Sequence, residues 1–334
     1  MNRSVWIHLL NFTEIIVLAA ITYFAVIKKM MNVEFITFQI PASFLQLNTI
    51  FLSILIEAMP FVLIGVLIAG FIQIFVSEEQ VEKWIPKNRC AAVTISCVIG
   101  ACFPACECGI VPIVRRLVAK GVPIYAGVGF LLTGPLINPI VIFSTYMAFG
   151  NDMRIAGLRM GVGFAAAMII SLIMSLFFKK NQLKVQPHQE TIRESKRKAS
   201  FFVRVWDMFK HSIDEFFVMG KYLILGAFFA SFIQTYVSAQ SLLQVGEGWA
   251  SSTLVMMGLA YVLSLCSEAD AFIGASFRHM FPMSSILAFL IYGPMIDLKN
   301  TFMLASVFNM KFVISLIVLI TITVFTCVSF LAWL

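Results

Sequence analysis

The chain has 334 residues, of which 60% are hydrophobic and only 12% charged, with a formal net charge of +7 and a mean hydropathy of +0.94. Soluble domains carry about 25% charged residues, so this composition excludes a soluble domain and predicts an all-α polytopic membrane protein. Its long, continuously apolar runs also exclude a transmembrane β-barrel, whose strands are ~10 residues long and alternate apolar with polar. The positive charge gathers in a few loops, which reads as topology and contact with anionic membrane lipid, with no nucleic-acid partner.

At about 20 apolar residues per helical span, the runs predict about nine hydrophobic spans. The first, at 5–27, is an uncleaved span interrupted by His8, Asn11 and Glu14, and with its linker it makes up residues 1–42. Residues 43–178 form a first transmembrane region of four segments. The segment at 43–76 contains Glu57, Pro60, Gly65 and Gly70 and exceeds one perpendicular span, which predicts either a tilted helix or a break near Pro60. A charged loop at 77–89 leads into a cysteine segment at 90–118, closed by Arg115, Arg116 and Lys120. A segment at 122–149 follows, with G-P-L-I-N-P at 134–139 near its middle, and then one at 155–178. The basic stretch 179–210 is a cytoplasmic loop by the positive-inside rule. Residues 211–334 supply four more spans, at 213–237, 252–277, 284–308 and 312–334. Nine crossings put the N-terminus outside and the C-terminus in the cytoplasm.

Two local matches relate the halves. G-F-I-Q-I-F-V-S at 70–77 recurs as S-F-I-Q-T-Y-V-S at 231–238, and G-P-L-I-N at 134–138 recurs as G-P-M-I-D at 293–297. Nearly equal offsets predict two four-span repeats with broken helices, plus the extra N-terminal span. An even number of spans per repeat makes the repeats parallel, whereas a re-entrant broken segment changes the parity and makes them inverted.

The densest chemistry lies at 97–112, reading C-V-I-G-A-C-F-P-A-C-E-C-G-I-V-P. Cys102, Cys106 and Cys108 are soft ligands that select Zn²⁺, Cu⁺ or trivalent arsenic over Mg²⁺ or Ca²⁺, and they form the candidate metal set. A structural zinc site needs a fourth ligand such as Cys97 or Cys266. A strained, labile Cys106–Cys108 disulfide is the redox alternative. Cys90 and Cys327 read as packing. Pro104, Gly109 and Pro112 interrupt any helix carrying them, and helices broken at membrane depth mark the cavities where transporters bind cargo. At the corresponding place in the second half, L-S-L-C-S-E-A-D-A-F sets Cys266, Glu268 and Asp270 against Cys106, Glu107 and Cys108. Each acid costs ~2.5–3.5 kcal/mol to insert, so both are expected to face a cavity or a partner. The expected substrate-binding set is Cys102, Cys106, Glu107, Cys108, Cys266, Glu268 and Asp270, with Asn138 and Asp297 lining the cavity after their Gly-Pro breaks. Glu57, Glu268 and Asp270 are the coupling candidates, although Glu57 can equally cap a broken half-helix. No Walker A, H-E-x-x-H or G-x-S-x-G sequence occurs, so neither ATP-driven nor hydrolytic chemistry is expected; the chain does not read as an enzyme and implies no cofactor.

E-A-M-P-F-V-L-I-G at 57–65, the C-x₃-C-x-C-G cluster followed by I-V-P, G-P-L-I-N-P at 134–139 and C-S-E-A-D-A-F at 266–272 resemble the predicted permeases related to the ArsP organoarsenical efflux proteins. The resemblance covers residues from about 44 to 334. It implies a two-repeat permease of the inner (cytoplasmic) membrane. In the best-understood branch it implies export of trivalent organoarsenicals through cysteine thiols, here those of the 102–108 cluster. Many relatives carry Ser where this chain has Glu107, and the acid favours a cation such as Zn²⁺ over a neutral arsenical. The expectation is a secondary permease moving a thiophilic metal ion or metalloid outward through a cysteine and carboxylate site at the repeat interface. The alternatives are a membrane thiol–disulfide oxidoreductase, or a transmembrane subunit working with a partner subunit or a second copy of itself.

Overall fold

The computed structural model describes residues 41–77, 79–81, 85–86, 88–103, 106–178, 182–184, 201–236 and 248–333, together with Tyr23. The expected first span, Pro104 and most of the basic 179–210 connection lie outside the described residues. The chain forms two compact units, Met1–Leu45 and Gln46–Leu334, and the second carries nearly all the described structure.

Pro60 does not break the segment that contains it: α1 is one helix, Ala42–Phe75, with Pro60 inside. At 1.5 Å per residue its 34 residues span ~50 Å, well beyond the ~30 Å apolar layer, so it is long enough to cross with tilt. The cysteine segment behaves differently, splitting into α2 (Arg89–Cys102) and α3 (Glu107–Ala119). Two more short helices follow, α4 (Ile124–Thr133) and α5 (Pro139–Ala148), separated by the Gly-Pro break, and then the long α6 (Met153–Phe177). The second half repeats this order with α7 (Phe201–Tyr236), α8 (Trp249–Leu263), α9 (Ser267–Ser276), α10 (Met283–Met295), α11 (Leu298–Val307) and α12 (Met310–Trp333). α7 starts inside the stretch expected as a polar connection. The fold is all-helical, apart from a single bridge between Leu183 and Phe308 among the described residues.

Helix directions follow from side-chain neighbours. Gly129 of α4 faces Val93 and Cys97 of α2, and Gly100 of α2 faces Phe130 and Thr133, so α2 and α4 run the same way. Gly127 faces Val114 and Val118 of α3, and Gly134 faces Ile110, so α3 runs opposite to α4. The pair α2–α3 is therefore a helical hairpin, its two arms running in opposite directions. α6 meets α4 and α5 in reverse order, Ser171 at Gly129, Leu136 at Gly163, and Arg159 at Thr145, so α4 and α5 continue in one direction through their break. The second half matches: Thr253 lies at Ser285 and Ala260 at Gly293, making α8 parallel to α10, while Gly274 at Leu290 and Asp270 at Gly293 make α9 antiparallel.

Among the described residues four helices, within α1, α6, α7 and α12, are long and apolar enough to cross a membrane, and α2, α4, α5 and α8 are shorter apolar helices. Only 33–39% of each long helix's most apolar window is buried within the protein. Their outer faces carry Ile56, Ile64, Leu176, Phe232, Ile314 and Ile322 in the open, an apolar surface suited to lipid. The short helices are the centre: every residue of α10 from Ser285 to Met295 is buried.

Glycine sets the closest approaches. A Cβ on Gly65 of α1 would collide with the Gly109 backbone of α3, and one on Gly226 of α7 would collide with the backbone of Lys299. Both glycines admit the neighbouring chain where it enters the centre of the molecule.

Candidate functional site

Four short helices begin next to the two breaks and the two hairpin turns. Cys106 is the N-cap of α3 and Cys266 that of α9, both with extended backbone (φ −79°, ψ 169° and φ −78°, ψ 156°). Asn138 caps α5 by accepting from the Ile140 N–H at 2.7 Å, and Asp297 caps α11 by accepting from the Asn300 N–H at 2.6 Å. Each carboxamide or carboxylate satisfies an N–H that the helix itself leaves unpaired. Aligning the two N-cap cysteines puts Ser267 at the place of Glu107 and Glu268 at that of Cys108, a finer register than the sequence motif indicates.

The hairpins meet tip to tip. Ser267 Oγ donates to Glu107 Oε1 at 3.0 Å, joining the first turns of α3 and α9. Glu107 Oε2 lies 3.6 Å from Lys299 Nζ, and the Asp297 carboxylate lies 3.0 Å from the same ammonium. Lys299 also donates to the Ser264 and Leu265 carbonyls, at 2.5 and 3.3 Å, in the turn of the second hairpin. A second cation, Arg159 of α6, is 1% exposed; its Nη1 donates to Thr145 Oγ1 at 2.6 Å and its Nη2 to the Ser267 carbonyl at 3.1 Å. Glu107, Asp270, Asp297, Arg159 and Lys299 are all buried. Buried charge of this kind persists only when paired or used. Asp270 is the exception in this set, because neither of its carboxylate oxygens has a hydrogen-bond partner among the described residues.

Beside this network a pocket is lined by Cys106, Glu107, Cys108, Cys266 and Lys299, and on the α1 side by Ile54, Glu57, Ala58 and Phe61. Thiols from both halves thus share one cavity with two carboxylates. Cys108 is buried, Cys106 and Cys266 are half-buried, and Glu57 is exposed. Cys102 sits exposed at the end of α2 and does not line the pocket. Glu268 is half-buried and also outside the lining, while Asn138 and Asp297 serve as caps at the breaks. All seven cysteines are unpaired thiols. Among the described residues no three His, Cys, Asp or Glu side chains already stand close enough together to hold a metal ion.

Sequence reasoning missed Arg159, Lys299 and Ser267. Lys299 had a signal: it lies two residues past Asp297, inside an apolar segment just after a Gly-Pro break. Arg159, near the start of its span, was indistinguishable from an interfacial charge.

The predicted permease family, ArsP_1, matches residues 43–332. UPF0718 protein YcgR of Bacillus subtilis is 52% identical over 283 residues, covering 85% of this chain and 96% of that protein. A Streptococcus mutans protein named as a subunit of a two-component membrane permease complex is 40% identical over 278 residues, covering 83% of this chain and 92% of that one. UPF0718 protein MJ0584 of Methanocaldococcus jannaschii is 27% identical over 141 residues, 42% of this chain and 38% of that protein. No solved structure matches the chain. With its apolar helices and the family match across nearly all of them, the chain is a multi-pass membrane protein that belongs to the predicted permease family, a transporter rather than an enzyme.

Proposed function

We propose that this permease moves a thiophilic metal ion or metalloid outward by alternating access, with the cargo held between Cys106 and Cys108 of one half and Cys266 of the other. The observation that carries this reading is that Cys106, Cys108 and Cys266 line one pocket together with Glu57 and Glu107. Soft thiol ligands select soft cargo. Movement of the two hairpins draws the thiols together around the cargo and parts them on release. Asp270, buried without a hydrogen-bond partner, together with Glu57 and Glu268, is the route for coupling protons.

The twelve helices among the described residues also support a particular topology. Each half comprises a long helix, a hairpin, a broken helix pair and a second long helix, which amounts to three crossings if the hairpins are re-entrant. Odd repeats are inverted, and inverted repeats with discontinuous helices meeting at mid-depth are a common transporter plan. With the 179–210 connection cytoplasmic, α12 then ends outside the cell membrane, opposite to the side expected from nine spans. Single cysteines placed near residue 333 and labelled by an impermeant maleimide in intact cells test this.

The functional test is survival and metal content in cells lacking the protein, challenged with Zn²⁺, Cd²⁺ or phenylarsine oxide, and complemented by wild type or by Cys106→Ser with Cys108→Ser. Wild type restores resistance and lowers cell content, and the double variant does not. Equal survival and content in all strains sinks the reading. A subunit role within a larger complex is the second reading, favoured by the name of the Streptococcus mutans relative. A stoichiometric membrane partner that co-purifies and is needed for resistance would establish it.

A further inference from the structure

Lys299 occupies an unusual position for a lysine. It is the second residue of α11, and its buried ammonium is surrounded by oxygens from the α3 start, the α11 cap and the second hairpin turn: the Glu107 carboxylate at 3.6 Å, the Asp297 carboxylate at 3.0 Å, and the Ser264 and Leu265 carbonyls at 2.5 and 3.3 Å. Two carboxylates and two carbonyls make an oxygen cage that suits a hard cation, and the lysine's own ammonium fills it, so selection of a soft cargo falls to the thiols next to it. The cage opens on the thiol pocket, since both Lys299 and Glu107 line it with Cys106, Cys108 and Cys266. A metal cation bound by those thiols and Glu107 would sit beside the ammonium, and two positive charges so close in a buried site repel strongly.

We propose that Lys299 is a tethered competitor for the cargo: its ammonium neutralises the empty site and must leave Glu107 when cargo binds, so the cargo class is a soft metal cation and not a neutral trivalent arsenical. The inference rests on the thiol-pocket reading above and narrows it. Lys299 sits on α11, whose start is packed on α7 at Gly226, while its cage carbonyls belong to the turn of the α8–α9 hairpin. Displacement of the ammonium therefore releases that hairpin turn from α11, and loss of the cargo restores the link. Such a lysine couples occupancy to the position of the hairpin, because its contacts differ between the empty and loaded states.

The competing account is a permanent structural ion pair, and the two differ in what removal of the charge does to binding. Equilibrium binding is measured on the purified, reduced full-length protein in detergent with Zn²⁺ and, separately, with phenylarsine oxide. Lys299→Met is expected to bind Zn²⁺ at least ~tenfold more tightly than wild type, since the competing charge is gone. Lys299→Arg, which keeps the charge, binds Zn²⁺ no more tightly than wild type, and phenylarsine oxide binding is unchanged by Lys299→Met. Equal, weaker or absent Zn²⁺ binding by Lys299→Met overturns the proposal, as does an equal gain for phenylarsine oxide. The charge-matched pair Lys299→Met with Asp297→Asn is carried alongside, and failure of both variants to fold also overturns it, because a lysine that leaves its cage in each cycle cannot be one the fold requires. The triple variant Cys106→Ser, Cys108→Ser and Cys266→Ser separates the two levels. If it binds Zn²⁺ as wild type does, the thiol-pocket reading fails, while the Lys299 comparison still reads the competition at Glu107.

Discussion

Removing the Glu215 carboxylate strands two guanidinium groups. Arg115 Nη1 donates to Glu215 Oε1 at 2.9 Å and Arg116 Nε to Oε2 at 2.9 Å, with a further contact from Arg116 Nη2 to Oε2. Arg115, Arg116 and Glu215 are 7%, 8% and 4% exposed, so water is not at hand to replace the lost partner. Solvated ion pairs contribute ~0–1 kcal/mol, but breaking a buried pair by deleting one member costs ~3–5 kcal/mol. With both arginines dependent on one acid, Glu215→Ala is expected at the upper part of that range. Glu215→Gln, which keeps one acceptor oxygen but no charge, should lose ~2–3 kcal/mol, in line with charge-assisted hydrogen bonds. The assay is reversible unfolding in mixed micelles, followed by tryptophan fluorescence. The combination Arg115→Met, Arg116→Met and Glu215→Leu provides the internal control: with no charge left unpaired, it should lose less than Glu215→Ala alone. A loss below ~1 kcal/mol for Glu215→Ala, or a triple variant worse than the single one, would refute the argument that this cluster ties α3 to α7.

Three further outcomes are expected. Gly65→Val forces α1 away from the Gly109 backbone and should cost at least ~3 kcal/mol, whereas Gly157→Ala, with open space around its Cβ position, should be neutral or stabilise α6 by ~0.5–1 kcal/mol; the same micelle unfolding assay compares them. Asn138→Ala removes a cap from α5 and should cost ~0.5–2 kcal/mol, while Asp297→Ala removes both a cap and a Lys299 partner and should cost clearly more. Arg159→Met takes from the buried Asp270 one of its cationic neighbours and removes the donor to Thr145 Oγ1, which keeps its bond to the Val141 carbonyl; it should lower folded yield on gel filtration more than Arg154→Met at the exposed end of the same helix.

Much of this architecture was written in local chemistry. The Gly134-Pro135 and Gly293-Pro294 pairs flag the two breaks, and the Asn138 and Asp297 that follow them are the caps of the helices beyond. The offset between the two local matches set Cys266 against Cys106, and both line one pocket with Cys108. Helix direction was not legible, because an apolar helix that crosses the membrane and one that turns back have the same composition. A hairpin is decided by contacts such as Gly129 with Cys97, far apart in sequence. Pro60 carried a break signal that the continuous α1 overrides. Charges near segment ends, Arg159 among them, look interfacial until the tertiary structure buries them.

The Glu107–Ser267 hydrogen bond joins two helix starts with unlike partners, an acceptor on α3 and a donor on α9. Two glutamates there would repel each other, and two serines would leave Lys299 with Asp297 as its remaining acid. The contact between the hairpin tips therefore specifies which turn sits on which side: exchanging one tip for a copy of the other removes either the donor or the acceptor, so the pairing selects against a like-with-like arrangement of the two hairpins.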